Sequence, residues 1–308
     1  MINTVNIIGL GALGMLYGRN MMNPLGYENV RFIMDRNRYE KYRDQRYIIN
    51  GAECKFNMVP LSEATPADLV IVAVKYPGLE QAIEDIAGSV GEGTVIMSVM
   101  NGISSEDMIA ARYGADKMIY AVAQGMDAVR FGSNMNYTLS GALRLGMYPR
   151  GSRENLDAVM ELLARSGLEY VEEEDIIFRM WSKFMLNVGV NQTCMVYDTT
   201  YKGVIEEGEP NLIFISAMRE VIAVANAEGV KLTEADLNAY VDIIRSLGPD
   251  QMPSMAQDRI NRKPGEVDAF SGEVIRLAAR HDIQVPVNRY LNRRAKEIEA
   301  QYTDKKEN

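Results

Sequence analysis

Gly9-Leu10-Gly11-Ala12-Leu13-Gly14 carries the most specific chemistry in this chain. It follows the apolar run Thr4-Val5-Asn6-Ile7-Ile8 and opens a helix-compatible segment through Met22, the strand, turn and helix order that a dinucleotide pyrophosphate needs. Gly9 permits the tight turn, Gly11 removes the side chain that would block the phosphates, and Gly14 lets the helix pack closely on the sheet. The N–H groups and positive dipole end of that helix then face the pyrophosphate. A second apolar run, Val30 to Met34, ends in Asp35-Arg36 about twenty residues on, where the fingerprint places its ribose-reading residue.

A second signal lies in Phe178 to Asn191, where Lys183, Asn187 and Asn191 recur at steps of four. At helical rise they form one stripe about 12 Å long. An exposed polar face would give the same spacing. Here Phe184, Met185, Leu186, Val188 and Val190 cover the remaining faces, so the helix is expected to be largely buried. A buried lysine and two carboxamides need partners, and a substrate pocket supplies them. Burial also lowers a lysine's pKa and makes it a better proton donor near neutral pH.

Ligands of a doubly wound sheet bind beyond the carboxyl ends of its strands. That directs attention to Lys75, after the run Asp68 to Val74, and to Asn101-Gly102, after Val95 to Met100. Charge alone does not separate a cofactor contact at Lys75 from a solvated lysine, and Asn101-Gly102 is also an ordinary turn pair. Further on, Ser254 after Pro253 reads as a helix N-cap, and Glu266 opens the next helix. Capping alone explains both.

The elements that must position these residues alternate in the first half. Strands are expected near 4–8, 30–34, 68–74, 94–99 and 117–122, and helices over 12–22, 37–44, 78–87 and 104–112. Such alternation predicts a parallel α/β sheet covered on both faces. An inserted hairpin is expected where Tyr47-Ile48-Ile49 and Cys54 to Val59 flank Asn50-Gly51. A second is expected through 125–147, from the stretches around Ala128-Val129, Tyr137 to Leu139 and Ala142 to Met147. A helix at 153–165 and a strand at 168–172 complete the first domain, 1–173. From Glu174 the pattern is helical only, roughly 175–196, 210–228, 234–246, 254–262, 266–281 and 287–302, giving an all-α second domain over 174–308. The polar tail Tyr302 to Asn308 is expected to fray.

Composition narrows the function classes. A chain of 308 residues that is 47% hydrophobic has room for two folded domains. A net charge of -9 gives no basic footprint for nucleic acid or an anionic membrane surface. No run approaches the ~20 apolar residues of a membrane span, and the N-terminus lacks the marks of a signal peptide. Cys54 and Cys194 are far apart and outside any metal-ligand spacing, which fits buried thiols in a reducing cytoplasm. The single histidine, His281, reads as the cationic end of a helix, so histidine-based catalysis and metal ligation drop out. Twenty methionines and a helical second domain suit a homodimer.

Together these motifs resemble the ketopantoate reductase (2-dehydropantoate 2-reductase) family over nearly the whole chain. The matching pieces are Gly-x-Gly-Ala-Leu-Gly, Lys75, Asn101-Gly102, the Trp-x-Lys-x-x-x-Asn-x-x-x-Asn helix from Trp181 to Asn191, and the Ser-Met-x-Gln-Asp…Glu-x-Asp element from Ser254 to Asp268. The resemblance implies an N-terminal Rossmann-type domain binding NADPH and an all-helical domain that handles a 2-oxo acid, whose ketone is reduced. It implies Lys183 as the general acid, Asn187, Asn191, Ser254 and Glu266 as substrate-positioning groups, and Asn101 with Lys75 between nicotinamide and substrate. Two positions depart from the family pattern. Asp35 stands where a basic residue for the 2′-phosphate is common; an acid favours NADH, Arg36 and Arg38 favour NADPH, and the balance leans to NADPH. Tyr201-Lys202-Gly203 replaces a substrate-side asparagine-glycine pair, so a different 2-oxo acid stands as the alternative to ketopantoate, the first candidate. A related hydroxy-acid dehydrogenase and a non-catalytic NAD(P)H sensor are the rival readings.

Overall fold

The computed structural model describes residues 1–302; the tail from Thr303 to Asn308 lies outside the described residues. Internal packing divides the chain into two units, Met1–Ile176 and Ile177–Asn308.

Unit 1 runs β1 (Val5–Ile8), α1 (Ala12–Leu25), β2 (Val30–Met34), α2 (Arg36–Tyr42), β3 (Tyr47–Ile49), β4 (Ala52–Cys54), β5 (Asn57–Pro60), β6 (Leu69–Val72), α3 (Leu79–Asp85), β7 (Val95–Ser98) and α4 (Ser105–Tyr113). It continues through β8 (Met118–Met126), β9 (Val129–Phe131), β10 (Asn134–Asn136), β11 (Ser140–Met147), α5 (Arg153–Arg165) and β12 (Glu169–Glu172). Eight strands form one sheet in the order β12-β11-β8-β7-β6-β1-β2-β5. All of its pairings are parallel except β11 with β8. Successive residues of a central strand serve opposite faces. Leu69 and Ile71 of β6 join Met15, Leu16 and Leu162 in one core, whereas Val70 and Val72 join Leu79, Ile83 and Ile109 in another. Burial on both faces is what a continuous apolar run such as Leu69-Val70-Ile71-Val72 encodes, each side chain contributing about 1.5–3 kcal/mol.

Two hairpin expectations are corrected. Cys54 does pair with Tyr47, but Asn57–Pro60 leaves that hairpin and runs parallel to β2 at the edge of the large sheet. The break is at Lys55-Phe56, because the Phe56 ring packs on Phe32 at 4.8 Å and on Tyr47 at 5.4 Å. In the second region, Val129–Phe131 pairs with Asn134–Asn136, and Ser140–Met147 pairs with β8. Thr138 and Leu139 cannot join a ladder, since their amides both donate to Asp127 Oδ1, at 2.9 and 2.8 Å. The two insertions meet in a small sheet, β4-β3-β10-β9, through a parallel pairing of β3 with β10.

Unit 2 is helical: α6 (Ile176–Tyr197), α7 (Tyr201–Ile205), α8 (Glu209–Ala227), α9 (Glu234–Ser246), α10 (Ser254–Ile260), a π-helical turn (Asp268–Gly272), α11 (Glu273–Arg280) and α12 (Pro286–Ala300). Gly189 lets α6 approach α8, since a Cβ there would lie 2.7 Å from Met218 Cγ and 2.9 Å from Phe214 Cδ2. Thr233 and Asp236 form a reciprocal capping box that starts α9. His281 closes α11, its Nε2 2.6 Å from Glu228 Oε1. Two local expectations change. Pro253, not Ser254, is the N-cap of α10, so the Ser254 hydroxyl is released for another partner. The helix expected over 266–281 begins with the π-helical turn, and Glu266 stands just before it. Among the described residues, no helix is long and apolar enough to cross a membrane.

Candidate active site

The glycine turn of unit 1 has the shape its sequence requires. Gly9 adopts φ +110°, and a Cβ there would sit 2.3 Å from the Ala73 carbonyl oxygen. A Cβ at Gly14 would meet the Gly9 carbonyl oxygen at 2.0 Å. Gly11 differs from both: its φ of −85° suits any residue, and a Cβ would touch only the Ala73 oxygen, at an ordinary 3.8 Å. Internal packing therefore does not demand glycine at 11, and the space beside it is open. Gly11 is also the N-cap of α1, contributes no side-chain cap, and is followed by a first turn without acidic residues. Half-buried Leu10, Ala12 and Leu13 complete the turn. Uncapped N–H groups, a positive dipole end and an open cradle fit a dinucleotide pyrophosphate.

The chain leaves β1 for β2 on one side and returns to β6 on the other, so the sheet order reverses beside β1. Gly9–Gly14, Asp35, Lys75 and Asn101 follow the carboxyl ends of β1, β2, β6 and β7, four strands adjacent in the order β7-β6-β1-β2. All are thereby brought to one edge of the sheet, where nucleotide ligands of such folds bind. Lys75 is exposed and precedes a short turn of 3-10 helix; Asn101 is half-buried, and Gly102 after it takes φ +107°. Asp35 is engaged as the N-cap of α2, its Oδ1 accepting the Arg38 N–H at 2.9 Å while Oδ2 lies 3.3 Å from Arg38 Nε. Arg36 is exposed and pairs with Glu40 at 2.6 Å.

Unit 2 gathers the rest. Along α6, Asn191 Nδ2 donates to Asn187 Oδ1 at 3.3 Å, as neighbours at a step of four can. Asn191 Oδ1 accepts twice from the start of α10: from Ser254 Oγ at 3.0 Å and from the Met255 N–H at 3.3 Å. One buried carboxamide thus clamps two helices and orients a second carboxamide, leaving the Asn187 Nδ2 hydrogens outside the pair. Lys183, one turn earlier, is half-buried. Burial pushes its pKa down to about 8, and attraction to Glu266, itself buried, opposes the fall. The arrangement is a cation poised to give up a proton near neutral pH beside hydrogen-bonding groups of fixed direction.

Sequence reasoning passed over three supports. Gln192 Oε1 accepts from the Ser271 N–H at 3.3 Å, tying α6 to the π-helical turn that follows Glu266. Arg259 donates to the carbonyls of Met195 and Val196 at the carboxyl end of α6, where a cation is favoured. The Met255 amide has no sequence signature, because any residue supplies one. Arg259 lies one residue past the Ser-Met-x-Gln-Asp motif, and its type and place were the available signal. Tyr201 and Lys202 line a cavity of about 440 Å³ with Ile205, Ile244, Leu247 and Pro249; Lys183, Asn187, Asn191 and Ser254 do not line it. The Tyr201 and Lys202 amides donate to the carbonyls of Gln251 and Pro249, at 3.0 and 2.9 Å, on the segment leading to Ser254. Among the described residues, no group of three or more His, Cys, Asp or Glu is placed to hold a metal ion.

Comparison with known proteins bears on both units. A family model described as ketopantoate reductase PanE/ApbA matches residues 5–150, and one for the family's C-terminal part matches 175–299. The chain is 26% identical over 295 residues to a 2-dehydropantoate 2-reductase of Streptococcus pyogenes serotype M1, covering 93% of this chain and 95% of that protein. Its fold is similar to that of D-mandelate dehydrogenase in ternary complex with NADH and anilino(oxo)acetate, with a TM-score of 0.87 and 21% identity over 97% of this chain and 99% of that one. It is similarly close to a 2-dehydropantoate 2-reductase from Geobacter metallireducens GS-15, with a TM-score of 0.85 and 23% identity over 96% and 99% of the two chains.

Proposed function

The chain belongs to the ketopantoate reductase family, and from that premise we propose that it reduces the ketone of a small 2-oxo acid to the 2-hydroxy acid, with NADPH as reductant and 2-dehydropantoate as first substrate. The observation that carries this reading is Lys183: a lysine held at a pKa of about 8 beside the Asn187–Asn191–Ser254 cluster.

Unit 1 binds the nucleotide at the Gly9–Gly14 turn, with Arg36 directed to the 2′-phosphate. Asp35 is already occupied as a helix cap and ion-pair partner, which favours NADPH over NADH at this edge. When bound, the dihydronicotinamide supplies the hydride. Lys183 supplies the proton to the ketone oxygen, and its cationic form stabilises negative charge gathering there. Glu266 opposes the effect of burial and favours the ammonium form. Asn187 Nδ2, oriented by Asn191, donates to a substrate oxygen, and Ser254 Oγ, its hydrogen already given to Asn191, accepts from a substrate hydroxyl; Asn101 and Lys75 contact the cofactor on unit 1. A homodimeric, cytoplasmic enzyme is part of the same proposal.

Another 2-oxo acid as substrate is the second reading, resting on Tyr201-Lys202-Gly203 standing where the family pattern has an asparagine-glycine pair. The test offers NADPH and NADH with 2-dehydropantoate, pyruvate, 2-oxoisovalerate and oxaloacetate, following loss of reduced-nicotinamide absorbance. Turnover of 2-dehydropantoate with NADPH supports the proposal. Turnover of another acid alone moves the assignment to the second reading, and tight NADPH binding without any turnover replaces both with a nucleotide sensor.

A further inference from the structure

Behind the Asn101 turn, three side chains form a hydrogen-bonded line with a definite direction. Ser105 has one hydroxyl hydrogen and donates it to Glu106 Oε2 at 2.8 Å. The 2.8 Å contact between Ser98 Oγ and Ser105 Oγ is then donated by Ser98. A lone pair of Ser98 in turn accepts from the Met100 N–H at 3.3 Å. The line therefore runs one way, from the amide just before Asn101 to a carboxyl group on α4. It joins the last residue of β7 to the first turn of α4 and so brackets residues 99–104 at both ends. At the β7 end the Val99 amide is held separately, donating to the Val72 carbonyl at 3.0 Å.

Glu106 is 1% exposed. Stability does not account for an ionisable side chain there, because an apolar residue would fill the space without desolvating a charge. We propose that Glu106 is a positioning residue, holding through Ser105 and Ser98 the turn that presents Asn101. What Asn101 touches rests on the proposed reductase function; the hold on the turn does not.

Burial pushes the Glu106 carboxyl up to about 7, against the opposing hydrogen bonds from Ser105 and from its own amide. The other titratable groups facing it are Asp107 beside it on α4, Tyr120 on β8, and Tyr148 beyond β11. Tyr148 donates its hydroxyl to Asp107 Oδ1 at 2.7 Å, and its ring lies tilted at 45° with its centroid 4.8 Å from that of Tyr120, so Asp107 has its own partner. A neutral carboxyl is a weaker acceptor than a carboxylate, so the line slackens as pH falls through about 7.

The test compares Glu106→Ala, Glu106→Gln and, as reference, Asn101→Ala in the full-length protein. Amide hydrogen exchange over residues 99–104 is measured alongside kcat and KM across neutral pH. Glu106→Ala is expected to speed exchange in the turn by more than any change in global stability accounts for, and to lower kcat about tenfold. Glu106→Gln, whose neutral amide oxygen still accepts from Ser105 as the protonated carboxyl does, is expected to show the wild type's acid-side rate at every pH and so to lose the decline on the acid side of pH 7. Unchanged exchange in Glu106→Ala overturns the proposal, and so does a Glu106→Gln profile that keeps the acid limb. If Asn101→Ala turns over like the wild type while Glu106→Ala loosens the turn, the hold stands and the role given to Asn101 is what fails.

Discussion

Ser254 Oγ donates to Asn191 Oδ1 at 3.0 Å across 63 positions of sequence, and the next amide, Met255 N–H, reaches the same oxygen. A helix start and a helix interior are thus fixed to one another beside the proposed substrate-binding groups. Ser254→Ala and Asn191→Ala are expected to be non-additive. In a double-mutant cycle on stability the coupling should be about 1 kcal/mol, and full additivity would mean that the contact does not form in solution.

Lys183→Ala is expected to lower kcat by about 10²–10⁴ with NADPH affinity nearly unchanged. Equal losses in both would remove Lys183 from the proton-donor role. Because the ammonium must be intact and its pKa is about 8, kcat/KM should fall as pH rises through that value. The depressed pKa also means that the unfolded chain holds the extra proton between about 8 and 10.5. Wild-type stability should therefore gain a contribution as pH climbs through that window, and Lys183→Met should lack it.

Gly11→Ala separates binding from folding. The new methyl group meets only the Ala73 oxygen at 3.8 Å, so thermal stability should change by about 1 kcal/mol or less. NADPH affinity should drop by about tenfold or more, since the methyl group enters the pyrophosphate cradle. Unchanged affinity by fluorescence titration would place the nucleotide elsewhere.

At the ribose end, Arg36→Ala should raise KM for NADPH more than for NADH. Asp35→Ala should cost about 1 kcal/mol of stability through its lost cap and leave the preference between the two cofactors unmoved. A swing of Asp35→Ala toward NADPH in the ratio of kcat/KM values would show that Asp35 reads the ribose after all.

Glu106→Gln should stabilise the protein at pH 8 by on the order of 2–3 kcal/mol in denaturant titrations. The carboxyl's pKa is raised from 4.5 to about 7 in the fold, so the folded state holds the extra proton between those values. Stability is therefore lost as pH rises through that window, and the full cost is present above it. The advantage of the variant should shrink toward pH 4.5; a difference independent of pH would contradict the raised pKa.

The glycine turn and the lysine helix are legible in the sequence because each depends on local spacing: a strand, three glycines and a helix start, or polar residues at steps of four. The alternation of buried strands with helices likewise lies open in runs such as Leu69-Val70-Ile71-Val72. What stays hidden depends on tertiary partners. Ser254 has the sequence context of a helix cap, and only the proximity of Asn191 turns its hydroxyl to a different task. The Cys54–Val59 run looks like one strand because its period is unbroken; the division at Phe56 is set by Phe32, which belongs to another element.

The parallel pairing of β3 with β10, and the bond from the Tyr137 amide to Asn50 Oδ1, join residues 86 and 87 positions apart in sequence. Closing so long a loop has an entropic cost that local hairpins avoid. The small sheet is therefore expected to form late in unit 1's assembly. Protection of the Ile48 and Asn50 amides, which donate to Ser133 and Met135, gives a clock for the moment at which a newly made chain has finished building its nucleotide-binding half.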